Sequence, residues 1–282
     1  MPNTYAEALN WASLLLSPAG QEVDNANFIL EVQKDWTPSQ RRLHQDDPIT
    51  EAEWQAFSAA VQRLLNDEPA QYIVGKAPFL GEWFTVTPDV LIPRFETEEL
   101  VDWVMTDQAA AKTGLDMGTG SGIIGLTLMQ HLPDLAMTLV DLSPAALEVA
   151  KTNAAALNLA PTFVQSDLFT NLGDAKFDFI VANLPYIDHA EEDVMDRSTK
   201  KFEPEMALFA DHHGLAVFEH FAQMAMAHLN PDGAIYLEFG YHQRPALAAL
   251  FDDQMPGFTQ TFRRDLAGHQ RMLRLQVQKG NV

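Results

Sequence analysis

Residues 116–122 read Asp116-Met117-Gly118-Thr119-Gly120-Ser121-Gly122, with an apolar run from Gly114 to Met117 before them and a helical window near 122–131 after them. Three alternating glycines let a backbone turn tightly and approach a ligand. The helix that follows presents free N–H groups and a partial positive charge of about +0.5 at its start. The stretch is therefore a nucleotide-type loop joining a strand to a helix.

Outward from this loop the pattern alternates. Short apolar strands are predicted at Met137 to Val140, Thr162 to Gln165, Phe177 to Ala182 and Ala234 to Phe239, with helical windows near 144–156, 214–229 and 243–252. Continuous apolar strands alternating with helices predict a parallel sheet covered on both faces, an α/β Rossmann-like arrangement. Phe258 to Arg264 and Arg271 to Gln278 are two further strand-like runs separated by Gly268, which predicts an antiparallel C-terminal edge. Residues 1–75 read instead as a small helical domain. Thr50-Glu51-Ala52-Glu53 has capping-box form and Trp54, Phe57, Val61 and Leu64 recur at helical spacing, with weaker helices at Tyr5 to Leu16 and Glu22 to Gln33. Between the two, Pro78, Gly81, Pro88 and Pro93 interrupt short runs, so residues 76–95 are predicted to form a hairpin linker and residues 96–282 the α/β domain.

The 282 residues suffice for two domains, and 47% apolar with 20% charged residues is a globular composition. There is no cysteine, which removes disulfides, thiolate metal sites and cysteine nucleophiles together. A net charge of −21 repels polyphosphate, so no stable binding of nucleic acid is expected. No apolar run approaches the roughly 18 residues of a spanning helix, and the first basic residue is Lys34. A cytoplasmic protein with no membrane segment is expected.

Gly120, Gly122 and Gly125 also spell G-x-G-x-x-G, and Asp141 follows 21 residues after Gly120 at a predicted strand end. An acid there suits ribose hydroxyls, whether the ligand is NAD or S-adenosylmethionine. Asp116 stands where a carboxylate is expected to hold an amino-acid ammonium group, which S-adenosylmethionine has and NAD lacks. Ser166-Asp167-Leu168-Phe169, after the third strand, offers an acceptor for an adenine amino group and apolar side chains for its ring. Asn183-Leu184-Pro185-Tyr186 closes the fourth strand. An amide or exocyclic amine nitrogen is a poor nucleophile because its lone pair is delocalised, so a site that methylates it must accept its N–H groups and aim the lone pair. Asn183 Oδ1 and the Leu184 carbonyl are the expected acceptors, with Pro185 stiffening the turn and Tyr186 packing on the planar group.

Taken together, these motifs resemble the release factor glutamine methyltransferases, over nearly the whole length. Glu68 to Gly75, Val90-Leu91-Ile92-Pro93-Arg94-Phe95-Glu96-Thr97-Glu98, the glycine loop, Asp141-Leu142-Ser143, Ser166 to Phe169, Asn183 to Tyr186, Glu203-Pro204 with Ala207-Leu208, and Asp265 to Gly268 stand in that family's order. The resemblance implies a class I S-adenosylmethionine-dependent methyltransferase fold. The implied reaction transfers methyl to the side-chain amide nitrogen of the glutamine in a Gly-Gly-Gln loop of peptide chain release factors, leaving S-adenosylhomocysteine. By that match Asp116, Gly118, Thr119, Gly120, Ser121, Gly122, Asp141, Leu142, Asp167, Leu168 and Asn183 hold the cofactor and Asn183 to Tyr186 the glutamine. The helical domain helps dock the release factor, and a monomer is expected. Two positions depart from the family: Leu184 and Phe95 stand where it usually has Pro. Leu184 keeps the carbonyl but adds an N–H and predicts a looser turn.

The competing enzyme is an adenine N6-methyltransferase acting on RNA or DNA, since Asn-Leu-Pro-Tyr also resembles the loop of ribosomal RNA adenine dimethyltransferases. The net charge, the helical N-terminus and the Ile92-Pro93-Arg94 match oppose it. A dehydrogenase and a non-catalytic binder are weaker alternatives. No metal site is expected: Asp211-His212-His213 reads as loop, and Met224 and Met226 as core.

Overall fold

Thr50 caps its helix as its sequence predicts. In the computed structural model, which describes residues 1–277, Glu53 Oε2 accepts from the Thr50 amide at 2.9 Å and Thr50 Oγ1 from the Glu53 amide at 3.4 Å. The helical unit comprises α1 (Tyr5–Leu16), α2 (Asp24–Lys34), α3 (Pro38–Leu43), α4 (Glu51–Leu64) and α5 (Ala70–Val74). Its core gathers Ala8, Ala12, Leu16, Ile29, Leu30, Phe57, Val61 and Leu64. Lys34 pairs with Glu53 beneath the rings of Tyr5 and Trp36. That bond, with the Thr50 contacts, holds the Glu53 carboxyl down at about 2. Residues Met195–Phe202 belong to this unit as well, so it is not contiguous in sequence as the motif pattern suggested.

The second unit opens with a hairpin, β1 (Lys76–Phe79) and β2 (Glu82–Thr85), and an extended stretch leading to α6 (Phe95–Asp107). Then follow β3 (Thr113–Met117), α7 (Ile123–His131), β4 (Ala136–Asp141), α8 (Pro144–Ala156), β5 (Thr162–Gln165) and β6 (Phe177–Ala182). After α9 (Arg197–Phe202), which belongs to the helical unit, short helices α10 (Glu205–Leu208) and α11 (Asp211–Gly214) lead to α12 (Ala216–Ala225), β7 (Leu229–Glu238), α13 (Arg244–Gln254), β8 (Phe258–Arg264) and β9 (Gln270–Val277). The expected last strand ran to Gln278, which lies outside the described residues. The helix expected over 214–229 ends earlier, and Met226, read as core, is exposed.

Seven strands form one sheet in the order β5-β4-β3-β6-β7-β9-β8, parallel from β5 to β7 and antiparallel at β7-β9 and β9-β8. Side chains alternate between two cores. Leu115, Met117, Ile180 and Ala182 enter one, and Leu139, Phe179 and Val181 the other, which is why these strands read as unbroken apolar runs. β3 sits between β4 and β6, so strand order reverses at its carboxyl end, where open α/β sheets bind ligands. Among the described residues no helix is long and apolar enough to cross a membrane.

Replacing Thr50 by Ala is expected to cost about 1 kcal/mol, by removing one helix cap and the restraint on Glu53. Urea unfolding followed by far-ultraviolet circular dichroism checks this; no loss would mean the cap is idle.

Candidate active site

The glycine loop is held open by its neighbours. The amides of Gly118 and Thr119 donate to the Val140 carbonyl at 2.8 and 2.9 Å, and that of Gly120 to Asp141 Oδ2 at 2.8 Å. Asn153 of α8 donates to the carbonyls of Ser121 at 2.8 Å and Thr85 at 3.0 Å, tying the hairpin to the loop. Asn153 escaped the sequence reading because it sits mid-helix with no motif around it.

Above the loop lies a cavity of about 380 Å³. Gly118, Thr119, Gly120 and Ser121 line it, together with Asp141, Leu142, Asp167 and Leu168. Asn183, Leu184 and Pro185 line it as well. Asp141 also accepts from the Ser143 amide at 2.9 Å on its other oxygen, and these bonds do not use up the carboxylate's acceptor sites. Leu168 adopts a left-handed backbone, φ 45°, a strained state for a γ-branched residue that places it at the wall.

Three expected site residues lie outside the wall. Gly122 is the N-cap of α7, buried beneath it. Tyr186 packs against the core, and its hydroxyl donates to Glu238 Oε1 at 3.3 Å. Burial, with the Glu238 charge, raises that phenol above its ordinary value. Asp116, expected to meet an ammonium group, is fully buried and is not among the residues that line the cavity. On β3 it points away from the Leu115 and Met117 side, where its Oδ2 accepts from Thr119 Oγ1 at 2.6 Å and from the Gly125 amide at 2.9 Å. It fastens the loop to α7.

The sequence also missed part of the wall. Asp89, Val90, Leu91, Pro93 and Arg94, which the motif pattern assigned to a linker, line the cavity, as does Thr97 of α6. Glu203, nearly buried, anchors it: Arg94 donates to Oε1 at 2.5 Å and the Ile92 amide to Oε2 at 3.2 Å. The Pro93-Arg94 and Glu203-Pro204 motifs were the available signal, but only the fold shows that they meet.

Asn183 Nδ2 donates to Thr97 Oγ1 at 3.2 Å, and Thr97 Oγ1 donates to Glu238 Oε2 at 2.7 Å. Gln243 Nε2 donates to the Tyr186 carbonyl at 2.7 Å, fixing the downstream end of the turn. His212 and His213 bond separately to Glu219 and Asp188, and among the described residues no cluster of His, Cys, Asp and Glu is placed to hold a metal.

The residues fit S-adenosylmethionine. Nothing lies within 4 Å of where a side chain would begin at Gly120, so the loop leaves room for a ligand against its backbone. Asp141 presents acceptors to the cavity, and Leu142 and Leu168 add apolar side chains to its lining. A glycine loop at the switch point of a mostly parallel seven-stranded sheet with an antiparallel edge defines a class I S-adenosylmethionine-dependent methyltransferase fold.

The comparisons agree. The sequence matches the methyltransferase small domain family over residues 96–202 and the PrmC N-terminal domain family over residues 7–75. It is 36% identical over 273 residues to the release factor glutamine methyltransferase of Enterococcus faecalis, spanning 96% of this chain and 99% of that one. Against the enzyme of the same name from Streptococcus pneumoniae identity is 38% over 256 residues, 90% and 91% of the two chains. A methyltransferase structure from Pyrococcus furiosus shares the fold, with a TM-score of 0.55 at 15% identity, covering 78% of this chain and 98% of that one. The chain belongs to the release factor glutamine methyltransferase family.

Burial raises the Asp116 carboxyl from 3.8 to about 6, opposed by its bonds from Thr119 and Gly125. A raised acid stabilises the fold fully below its unfolded value and loses that contribution as pH rises through the folded one. Asp116→Asn is therefore expected to gain stability over wild type as pH rises from 4 to 7, by up to roughly 3 kcal/mol. Urea unfolding at several pH values checks it; parallel curves for the two proteins would refute the assignment.

Proposed function

We propose that this chain transfers the methyl group of S-adenosylmethionine to the side-chain amide nitrogen of the glutamine in the Gly-Gly-Gln loop of peptide chain release factors, in the cytoplasm and as a monomer. The observation that carries the reading is the acceptor end of the cavity: Asn183 commits its Nδ2 to Thr97, which leaves Oδ1 as the end that meets an N–H donor. Family membership at 36% and 38% identity supports the same substrate.

Bound S-adenosylmethionine supplies a methyl already activated by its sulfonium. The protein's part is placement. Gly118 to Ser121 receive the methionine portion, Asp141 accepts from the ribose hydroxyls, Asp167 from the adenine amino group, and Leu142 and Leu168 cover the ring faces. Asn183 Oδ1 and the Leu184 carbonyl accept the two N–H groups of the glutamine amide. Holding both fixes the NH2 plane and aims the nitrogen along the cavity. No base is needed before transfer, since the nitrogen sheds its extra proton afterwards to water. Tyr186 holds the turn through Glu238 and Gln243 rather than forming the cavity wall. The helical unit contributes to docking the release factor, and a net charge of −21 disfavours nucleic acid as the acceptor.

Mass spectrometry of the Gly-Gly-Gln peptide after incubation of release factor with enzyme and S-adenosylmethionine is expected to show one added methyl on the glutamine. Asn183→Ala is expected to lower kcat by about 100-fold or more while S-adenosylhomocysteine still binds, measured by calorimetry. Label transferred to deproteinised RNA and not to release factor would overturn the substrate and favour the adenine reading.

A further inference from the structure

We propose that Glu238 and Thr97 act as a polarity-setting pair that forces the Asn183 amide to present its oxygen, not its nitrogen, to the methyl acceptor. The proposal rests on the functional reading above and names positioning residues for that site.

The argument is one of donors and acceptors. Glu238, at the end of β7, is 1% exposed, and two hydroxyls donate into it: Thr97 to Oε2 and Tyr186 to Oε1. A hydroxyl has a single proton. Thr97, also 1% exposed, spends it on the carboxylate, and its oxygen can then only accept from Asn183. The NH2 end of Asn183 must therefore turn inward and Oδ1 outward to the cavity. Were the buried group at 238 a donor, Thr97 would turn its proton toward Asn183 and draw Oδ1 inward. The NH2 end would then face the acceptor's own NH2, with no lone pair to receive it.

The surroundings favour an accepting Glu238. That rests on geometry, since both of its oxygens receive a hydroxyl proton; burial leaves its carboxyl raised on balance, although Thr97, Arg271 of β9 and Tyr186 lower it. The contacts span 141 residues between Thr97 and Glu238 and 86 between Thr97 and Asn183, so the pair is built by the fold and not by a local motif.

Two readouts test this on the full chain. In 15N-labelled wild type, with the side-chain amide of Asn183 assigned by its loss in Asn183→Ala, the proton bound to Thr97 is expected to exchange slowly with solvent. In Glu238→Gln and Thr97→Val it is expected to exchange about tenfold faster or more, while Thr97→Ser keeps the protection. In the methyl-transfer assay, Glu238→Gln and Thr97→Val are expected to lose about 10- to 100-fold in kcat, as outer partners of a reacting group do, with S-adenosylhomocysteine affinity and melting temperature retained. Thr97→Ser is expected to recover most of the rate, and the Thr97→Val/Glu238→Gln double variant to be no slower than the slower single one. Unaltered exchange in Glu238→Gln, a rate near wild type, fully additive losses, or a rate loss matched by lost cofactor affinity or melting temperature would each overturn the pair's role. A wild type that shows the protected amide and its loss in Glu238→Gln, but methylates no release factor, supports the orientation and overturns the substrate reading alone.

Discussion

One glycine loop is gripped by two carboxylates, and the site depends on that grip. Asp116 takes the Thr119 hydroxyl and the Gly125 amide from the buried side, and Asp141 takes the Gly120 amide at the cavity side. Glycines alone make a loop flexible, because each has more backbone freedom to lose on folding than any other residue. Side-chain acceptors at the carboxyl ends of adjacent strands remove that freedom locally. The loop can then stand away from its own backbone bonds and leave space for a ligand, instead of collapsing into a tighter turn. Burying a carboxylate to do this is costly, which is why the Asp116 carboxyl rises to about 6.

The second half of the site follows from where strands end. β3 and β6 are neighbours, with Met117 opposite Ala182, so the glycine loop and the Asn183 turn leave the sheet side by side. β7 pairs with β6 on its other side, which brings Glu238 beneath the same turn. The glycine loop, the Asn183 turn and a buried carboxylate thus meet because three parallel strands stop at the same level. The linker reaches this level through Glu203, which receives both the Ile92 amide and the Arg94 guanidinium.

Local signals made much of this legible. The alternation of apolar runs and helices, the glycine loop, Asp141 and the Asn183 turn are short-range patterns, and the strands at Thr162–Gln165 and Phe177–Ala182 lie where their apolar runs put them. What local pattern could not carry was the direction of a side chain within its strand and the pairing of distant segments. Asp116 looked like a ligand because of its place beside the loop, but strand alternation sends it to the helix side. Tyr186 looked like a stacking face, but a carboxylate 52 residues away claims its hydroxyl. Residues 89–94 looked like a connector because prolines break periodicity, and no periodic measure reveals that a chain without regular structure lines a cavity. The α6 helix went unread although Glu96 and Glu98 stand in its first turn, where acids favour a helix start.

Leu184 shows how the fold absorbs a departure from the family's usual proline. A proline in that position restricts the turn through its ring, and a leucine in a solvated loop would free it. Here Leu184 is only 4% exposed and packs into the core that holds Met117, Ala182 and Phe239. Its Cδ2 lies 3.1 Å from where a side chain would begin at Gly118, so the absent side chain of the glycine loop is what makes room for it. Burial of a leucine stabilises by roughly 1.5 to 3 kcal/mol, more than the about 0.4 to 1 kcal/mol a proline supplies by limiting the unfolded chain. The turn is therefore fixed by apolar contact with the cofactor loop instead of by covalent stiffness, and the Leu184 carbonyl stays in place for the same reason that the loop beneath it does.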